Sequence, residues 1–311
     1  MMENQTKKKS RNQLRRKQQI FIWGWLAIPL ISWIMWYWVV NAQSFIQAFQ
    51  DPDTGAWSMI NFKGVWDSIT TKMTATGAYG SLRMAMKNTL KYFFVNVFVQ
   101  YPIQIVVCYF LYKQVKGYKL FRYIFYLPGI LPGLALVYVF KIFVANGGPI
   151  DSLMQLFGSS LPADGLLSSP DTATNIIMIY VVWTCVWGHM LLLSGAMYRI
   201  PVEMLEAARL EGVGPWRELI SLILPLIWPT LSTLVVLTCT SILSQGGPIL
   251  LFTGSNQYAG TTTISFWIFS KTLYNGEYNL VSATGLVMTV IFCPIILLLR
   301  KLLDKIPAVE Y

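Results

Sequence analysis

Long apolar runs separated by short polar stretches set the organisation of this chain. The first, 20-IFIWGWLAIPLISWIMWYWVV-40, has the roughly twenty residues that one helical bilayer crossing requires. Further runs lie at about 88–112, 123–145, 173–198, 226–252 and 281–299, so the pattern predicts an all-α, multi-pass membrane protein of six transmembrane helices. Ahead of the first crossing (20–42) is a basic tail, 1–19. After it comes a polar segment, 43–83, in which Asp51, Pro52, Asp53 and Gly55 predict a turn and a short surface helix. A cleaved signal peptide competes for the first run, since Val40-Asn41-Ala42 resembles a cleavage site. The run is too long and too rich in tryptophan for that, and reads as an uncleaved anchor. The third run contains 127-LPGILPG-133, which predicts a broken entry where neighbouring helices must satisfy the freed carbonyls.

One stretch interrupts the apolar pattern with charge: 203-EMLEAARLEGVGPWRELISLILPLIWP-229. Val202, Leu205, Ala208 and Leu210 alternate with Glu203, Glu206, Arg209 and Glu211, which predicts a short amphipathic helix. Gly212 and Gly214 can supply the positive φ that ends it, and Pro215 can open the next helix. Pro225 and Pro229 punctuate the entry to the following run. A charged helix–turn–helix between two apolar spans is a poor lipid contact and a good protein contact.

Composition agrees with a membrane protein: 55% of the 311 residues are hydrophobic, 12% are charged and mean hydropathy is +0.51. Soluble domains carry about twice that charge fraction. The net charge of +10 would suggest nucleic acid in a soluble protein, but here its distribution excludes that reading. The tail, the Lys113–Arg122 loop, the charged stretch with Arg199, and the C-terminal segment hold 7, 4, 3 and 3 basic residues, or 17 of the 24. With six spans all four fall on one side, so both termini and the charged stretch are expected in the cytoplasm. Cys108, Cys185, Cys239 and Cys293 each sit alone in an apolar run and read as small hydrophobes.

No catalytic constellation, metal site or cofactor site emerges. There is no GxxxxGK[ST], so the energy for any transport must come from another polypeptide. The single histidine, His189, has no partner at metal-ligand spacing, and a structural or cavity-lining role outweighs a metal or proton-relay role. Lys91 and Lys141, near span ends, are expected to snorkel. Uncharged polar groups within the spans suggest the cargo. Thr238, Ser241 and Gln245 share one helical face of the fifth span. On the fourth, Thr184 and Gly188 are one turn apart, beside Trp183 and Trp187. Hydroxyls, an amide and indole rings suit a neutral polyhydroxylated molecule, while the same small residues also serve as plain helix–helix glue.

The charged stretch resembles the EAA loop of permease subunits of bacterial ABC importers: Glu206, Ala207 and Ala208, a three-residue gap to Gly212, and the distal Pro225. Glu211 and Val213 stand where that family commonly has Asp and Ala. A second stretch, 253-TGSNQYAGTTTISFWIFSKTLYNGEYNLVSATG-285, is similar to the maltose-type sugar permeases in Thr253, Gly254, Thr261, Thr262, Thr263, Tyr278, Ala283 and Gly285. It lacks their proline near Asn256–Gln257. Asn88-Thr89 and 126-YLP-128 also fit. The resemblance implies a type I ABC importer permease fold with its core at 84–300, a coupling loop at 199–225 and a cytoplasmic tail at 301–311.

By that resemblance Glu206, Ala207, Ala208, Arg209, Glu211, Gly212 and Pro225 couple to ATPase subunits, and Thr184, Trp187, Gly188, Thr238, Ser241 and Gln245 line the substrate pathway. The implied partners are a second homologous permease (a heterodimer), two ATPase subunits that bind the ATP and magnesium, an extracytoplasmic binding protein, a carbohydrate ligand and the bilayer of a bacterial plasma membrane. Aromatic and asparagine side chains found at some pathway positions of maltose permeases are absent, which argues against maltose rather than against sugar. Two other readings stay open: an ABC importer of a peptide, amino acid or anion, and a non-ABC membrane protein, a proton-coupled carrier or an assembly factor. A carrier would call for intramembrane carboxylates or an internal repeat.

Overall fold

The computed structural model describes residues 2–70, 81–162, 165–168, 170–241, 243, 247–253 and 259–306. The chain divides into two compact units, Met1–Val65 with Glu277–Val287, and Trp66–Gly276 with Met288–Tyr311. In the first unit, α1 (Met2–Trp33) passes through a π-helical segment (Ile34–Val39) into α2 (Val40–Ala48). The helix thus begins within the basic tail, whose Lys, Arg and Gln residues are good helix formers. Its apolar window is wholly unburied, and rings such as Trp23, Trp25 and Trp36 point outward. Such a surface is stable only with lipid as its solvent. The expected turn follows: the backbone N–H of Asp53 donates to Asp51 Oδ1 (2.9 Å), and Gly55 takes φ +69°. The short helix α3 (Ile60–Thr70) is held by Asn61, whose amide donates to the carbonyls of Ala48 (3.0 Å) and Gln50 (2.7 Å).

The second unit begins with α4 (Leu82–Val95), capped by Ser81, which continues through a π-helical segment (Asn96–Gln100) into α5 (Tyr101–Tyr112). Next come α6 (Tyr118–Ile130), α7 (Gly133–Val144), α8 (Pro149–Leu156), α9 (Pro170–Trp183) and α10 (Val186–Met197). The charged stretch forms α11 (Val202–Leu210) and α12 (Pro215–Glu218). It leads through a π-helical segment (Leu219–Ile223) and α13 (Leu224–Leu226) to α14 (Trp228–Ser241). The chain closes with α15 (Gly247–Thr253), α16 (Ile264–Asn275) and α17 (Tyr278–Leu303). Five helical stretches among the described residues are long and apolar enough to cross a bilayer: 16–48, 82–112, 133–156, 172–197 and 278–303. A sixth crossing is available from 215–226 and 228–241, bent by 76° at their junction.

Two expected spans differ in detail. The third, placed at 123–145, is two helices. Pro132 forces Leu131 into extended backbone (φ −77°, ψ 144°), so α6 stops there and the long apolar helix starts at Gly133. The fifth, placed at 226–252, ends at Ser241, and a separate short helix, α15, covers Gly247–Thr253.

Two buried clusters hold this unit. One joins Cys108, Tyr109, Met190, Leu193, Met197, Leu205, Ile223 and Leu234; the other joins Tyr92, Val137, Ile177, Phe252 and Phe266. The threonine-rich run is part of the packing. Asn88 donates to the carbonyls of Gly260 (2.6 Å) and Thr262 (3.0 Å), Thr174 to that of Gly260 (2.7 Å), and the Ile264 N–H to Thr89 Oγ1 (3.0 Å). In lipid every such group must find a protein partner, so polar residues spaced far apart in sequence become joints. Lys141 is a second joint: instead of snorkelling it donates to the Leu251 carbonyl (3.1 Å) and lies over the Phe252 ring. Lys91 is exposed, as expected.

Candidate functional site: a coupling helix and a polar cavity

The helix expected at 202–210 forms as α11, but of its four apolar positions only Leu205 is buried, in the first cluster, while Val202 and Leu210 are exposed alongside Glu203, Glu206, Ala207 and Arg209. Gly212 ends it at φ +71°, a conformation costly for any residue with a Cβ. Gly214, expected to share that role, is extended at φ −71° and caps α12 instead; one left-handed residue is enough to reverse the chain. Pro215 opens a helix, where a missing N–H costs nothing, and Pro225 lies near the end of the continuous helical stretch 215–226. The outward face also carries Val202, Trp216 and Leu210, the last 91% exposed.

A cavity of about 340 Å³ lies within the helices of the second unit, lined by Asn96, Gln100, Tyr101, Gln104, His189, Leu237, Thr238 and Ser241. Its shape depends on an interruption of the fourth span. Between α9 and α10 the helix loosens at Thr184–Cys185, where the Cys185 carbonyl accepts from the Gly188 N–H in a tight turn (3.1 Å). Gln104 Nε2 donates to that oxygen at 2.7 Å, and Gln104 Oε1 is then 3.2 Å from His189 Nδ1. The carbonyl accepts, so Nδ1 carries the proton in this pair and Nε2 is left as an acceptor. The imidazole stacks on Tyr101 (5.4 Å between ring centroids, 19° between planes). The Tyr101 hydroxyl donates to the Leu234 carbonyl (2.7 Å) and sits 2.6 Å from Thr238 Oγ1, whose O–H supplies the second bond. The result is a flat two-ring wall flanked by amides and hydroxyls. No Lys, Arg, Asp or Glu is among the described lining residues.

Of the pathway residues picked from sequence, Thr238 and Ser241 line this cavity. Thr184 and Trp187 are used elsewhere. The Thr184 hydroxyl donates to the Tyr180 carbonyl of its own helix (2.9 Å). Trp187 lies on Gly129, where a Cβ would approach its ring to 2.8 Å. Gly188 is exposed with open space beside it, and Gln245 lies outside the described residues. The sequence reading missed Asn96, Gln100, Tyr101 and Gln104. The signal was present: Asn96, Gln100 and Gln104 recur at four-residue intervals in an otherwise apolar span, which is one face of a helix. His189, read as structural or cavity-lining, is cavity-lining.

Residues 104–306 match the family described as the inner membrane component of binding-protein-dependent transport systems. The chain belongs to this family. The inner membrane component is 23% identical over 285 residues to the multiple sugar-binding transport system permease protein MsmF of Streptococcus mutans, covering 91% of this chain and 96% of that protein. It is 23% identical over 266 residues to the maltose/maltodextrin transport system permease protein MalF of Yersinia pestis, with 77% of this chain and 49% of that protein covered; it spans only about half of MalF. Among solved structures it resembles a chain of a bacterial ABC transporter involved in the import of the acidic polysaccharide alginate. The TM-score is 0.78 at 19% identity, over 94% of this chain and 98% of that one. The same transporter in complex with an alginate pentasaccharide-bound periplasmic protein gives 0.75 at 19% identity, over 92% and 94%. The type I importer permease fold follows from these likenesses, and with it a multi-pass membrane protein that is a transport component.

Proposed function

We propose that this chain is one of two homologous permease subunits of an ATP-driven importer of neutral carbohydrate, an oligosaccharide by preference, in a bacterial plasma membrane. The observation that carries the reading is the uncharged cavity, with its Tyr101–His189 ring wall beside Gln100, Gln104 and Thr238. Flat rings cover the apolar face of a pyranose while amides and hydroxyls read its hydroxyl groups. The sugar-named relatives support the class of cargo. An acidic glycan of the alginate kind calls for a lining cation, and there is none among the described lining residues. The binding protein delivers the ligand from outside, and two ATPase subunits, which hold the ATP and magnesium, dock on α11. Their closure moves α11 and its Gly212 turn as a lever, turning the cavity from inward- to outward-facing. The basic segments 1–19, 113–122, 199–217 and 300–305 favour the cytoplasm for both termini.

The test is the ATPase activity of the complex, purified through a tag on this subunit and held in nanodiscs, with its binding protein and a panel of neutral and uronic oligosaccharides. Stimulation by neutral glycans alone is the expected result. Stimulation by uronic glycans, peptides or anions would discard the cargo class, and the absence of a co-purifying ATPase would discard the importer reading.

A further inference from the structure

The cavity and the coupling stretch share one helix, and a buried ion pair ties its end to the coupling stretch. Tyr101 and Gln104, which build the cavity wall, stand on α5; Lys113 is the C-cap of that same helix. Its Nζ donates to both carboxylate oxygens of Glu218, at 2.7 and 2.9 Å. Glu218 is only 2% exposed and is the last residue of α12, six residues beyond the Gly212 turn. From Gln104 to Lys113 is about 13 Å of helix at its usual rise. Phe110 meets Trp216 edge-on (ring centroids 5.9 Å apart), so α12 contacts α5 at two points.

Stability alone does not call for a charge pair here. Leu205, Leu219 and Ile223 already pack on Cys108, Tyr109 and Leu111 in one buried cluster. A buried ion pair is often no more stabilising than an apolar pair of similar size, because desolvation offsets the attraction. What it adds is a charge-assisted tie, one ammonium bonded to both carboxylate oxygens, that joins α12 to the end of α5. We propose that Lys113 and Glu218 are positioning residues for transport, forming a rigid link through which displacement of α11–α12 is handed to α5 and so to the cavity wall. This rests on the importer reading above.

The test compares the reconstituted complex carrying Lys113→Met, Glu218→Gln, the neutral pair Lys113→Met/Glu218→Leu, or the swap Lys113→Glu/Glu218→Lys. Assembly, thermal midpoint, basal ATPase and stimulation by the loaded binding protein are read for each. The expected result is that the single variants and the neutral pair lose about 5-fold or more of the stimulation, the low end of ordinary coupling energies. Basal hydrolysis persists, the neutral pair regains the wild-type midpoint, and the swap regains both midpoint and stimulation. A neutral pair that is stimulated like the wild type would overturn the link and leave the ion pair a packing device. The two stable double variants keep the outcome decisive even where a single variant fails to assemble. Lack of stimulation in the wild-type complex would count against the importer reading itself, which separates the two failures.

Discussion

At the residue scale, Gln104 combines two tasks that are usually divided. Its amide gives the Cys185 carbonyl a second donor where the fourth span loosens, and its oxygen sets the tautomer of His189. Replacing it with leucine removes one of the two donors to the Cys185 carbonyl, which keeps the Gly188 N–H, and takes the acceptor from His189 Nδ1, at a cost of about 1 kcal/mol per lost bond. The expected outcome for Gln104→Leu is a lower thermal midpoint together with weaker stimulation by sugar; an unchanged midpoint would mean that water replaces the amide. Gly129 tests a different contact. A Cβ there meets the Trp187 ring at 2.8 Å, so Gly129→Ala is expected to destabilise by about 1–3 kcal/mol, with Trp187→Ala relieving the clash in the double variant. That pair of midpoints also shows whether Trp187 is a packing residue, as its position on Gly129 indicates. Neither role was legible in the sequence, where Trp187 looked like a pathway ring and Gln104 drew no attention. A side chain's partner depends on the rotation of its helix against the next, and no local pattern encodes that.

At the scale of elements, the turn after α11 was legible down to its residues. Alternating charge and apolar side chains, a glycine and a proline specify a short helix, its stop and its successor through local physics alone, and α11, Gly212 and α12 follow. The same logic sets a prediction. Proline cannot reach φ +71°, so Gly212→Pro removes the turn, and Gly212→Ala costs about 1–2 kcal/mol for a left-handed residue with a Cβ. Both are expected to reach the membrane. Gly212→Pro and Glu206→Lys should abolish ATPase stimulation and Gly212→Ala should weaken it; full stimulation in the proline or lysine variant would refute the lever. Breaks elsewhere were legible only where proline marks them. Pro132 announced the end of α6, and Gly246-Gly247-Pro248 lie between α14 and the body of α15, but nothing of the kind announced the loosening at Thr184–Cys185.

At the scale of the whole molecule, the distribution of basic residues makes an orientation testable. In a background lacking the exposed Cys293, Asp53→Cys should react with a membrane-impermeant maleimide added to intact cells, and Lys116→Cys only after permeabilisation. The reverse labelling would turn the chain over and remove the coupling stretch from the ATPase side. Sequence by itself determined the class of the protein, its multi-pass helical character, and the short charged helix with its turn. These follow from composition and from periods of a few residues, which lipid and local backbone sterics enforce without reference to the rest of the chain. Tertiary structure alone decided which polar groups meet: Tyr101 with Thr238 across 137 positions, His189 with Gln104 across 85, and Lys113 with Glu218 across 105. Such pairs depend on the phase each helix keeps as it passes its neighbours. Two π-helical segments, the loosened fourth span and the 76° bend before α14 reset that phase at places the apolar pattern does not mark.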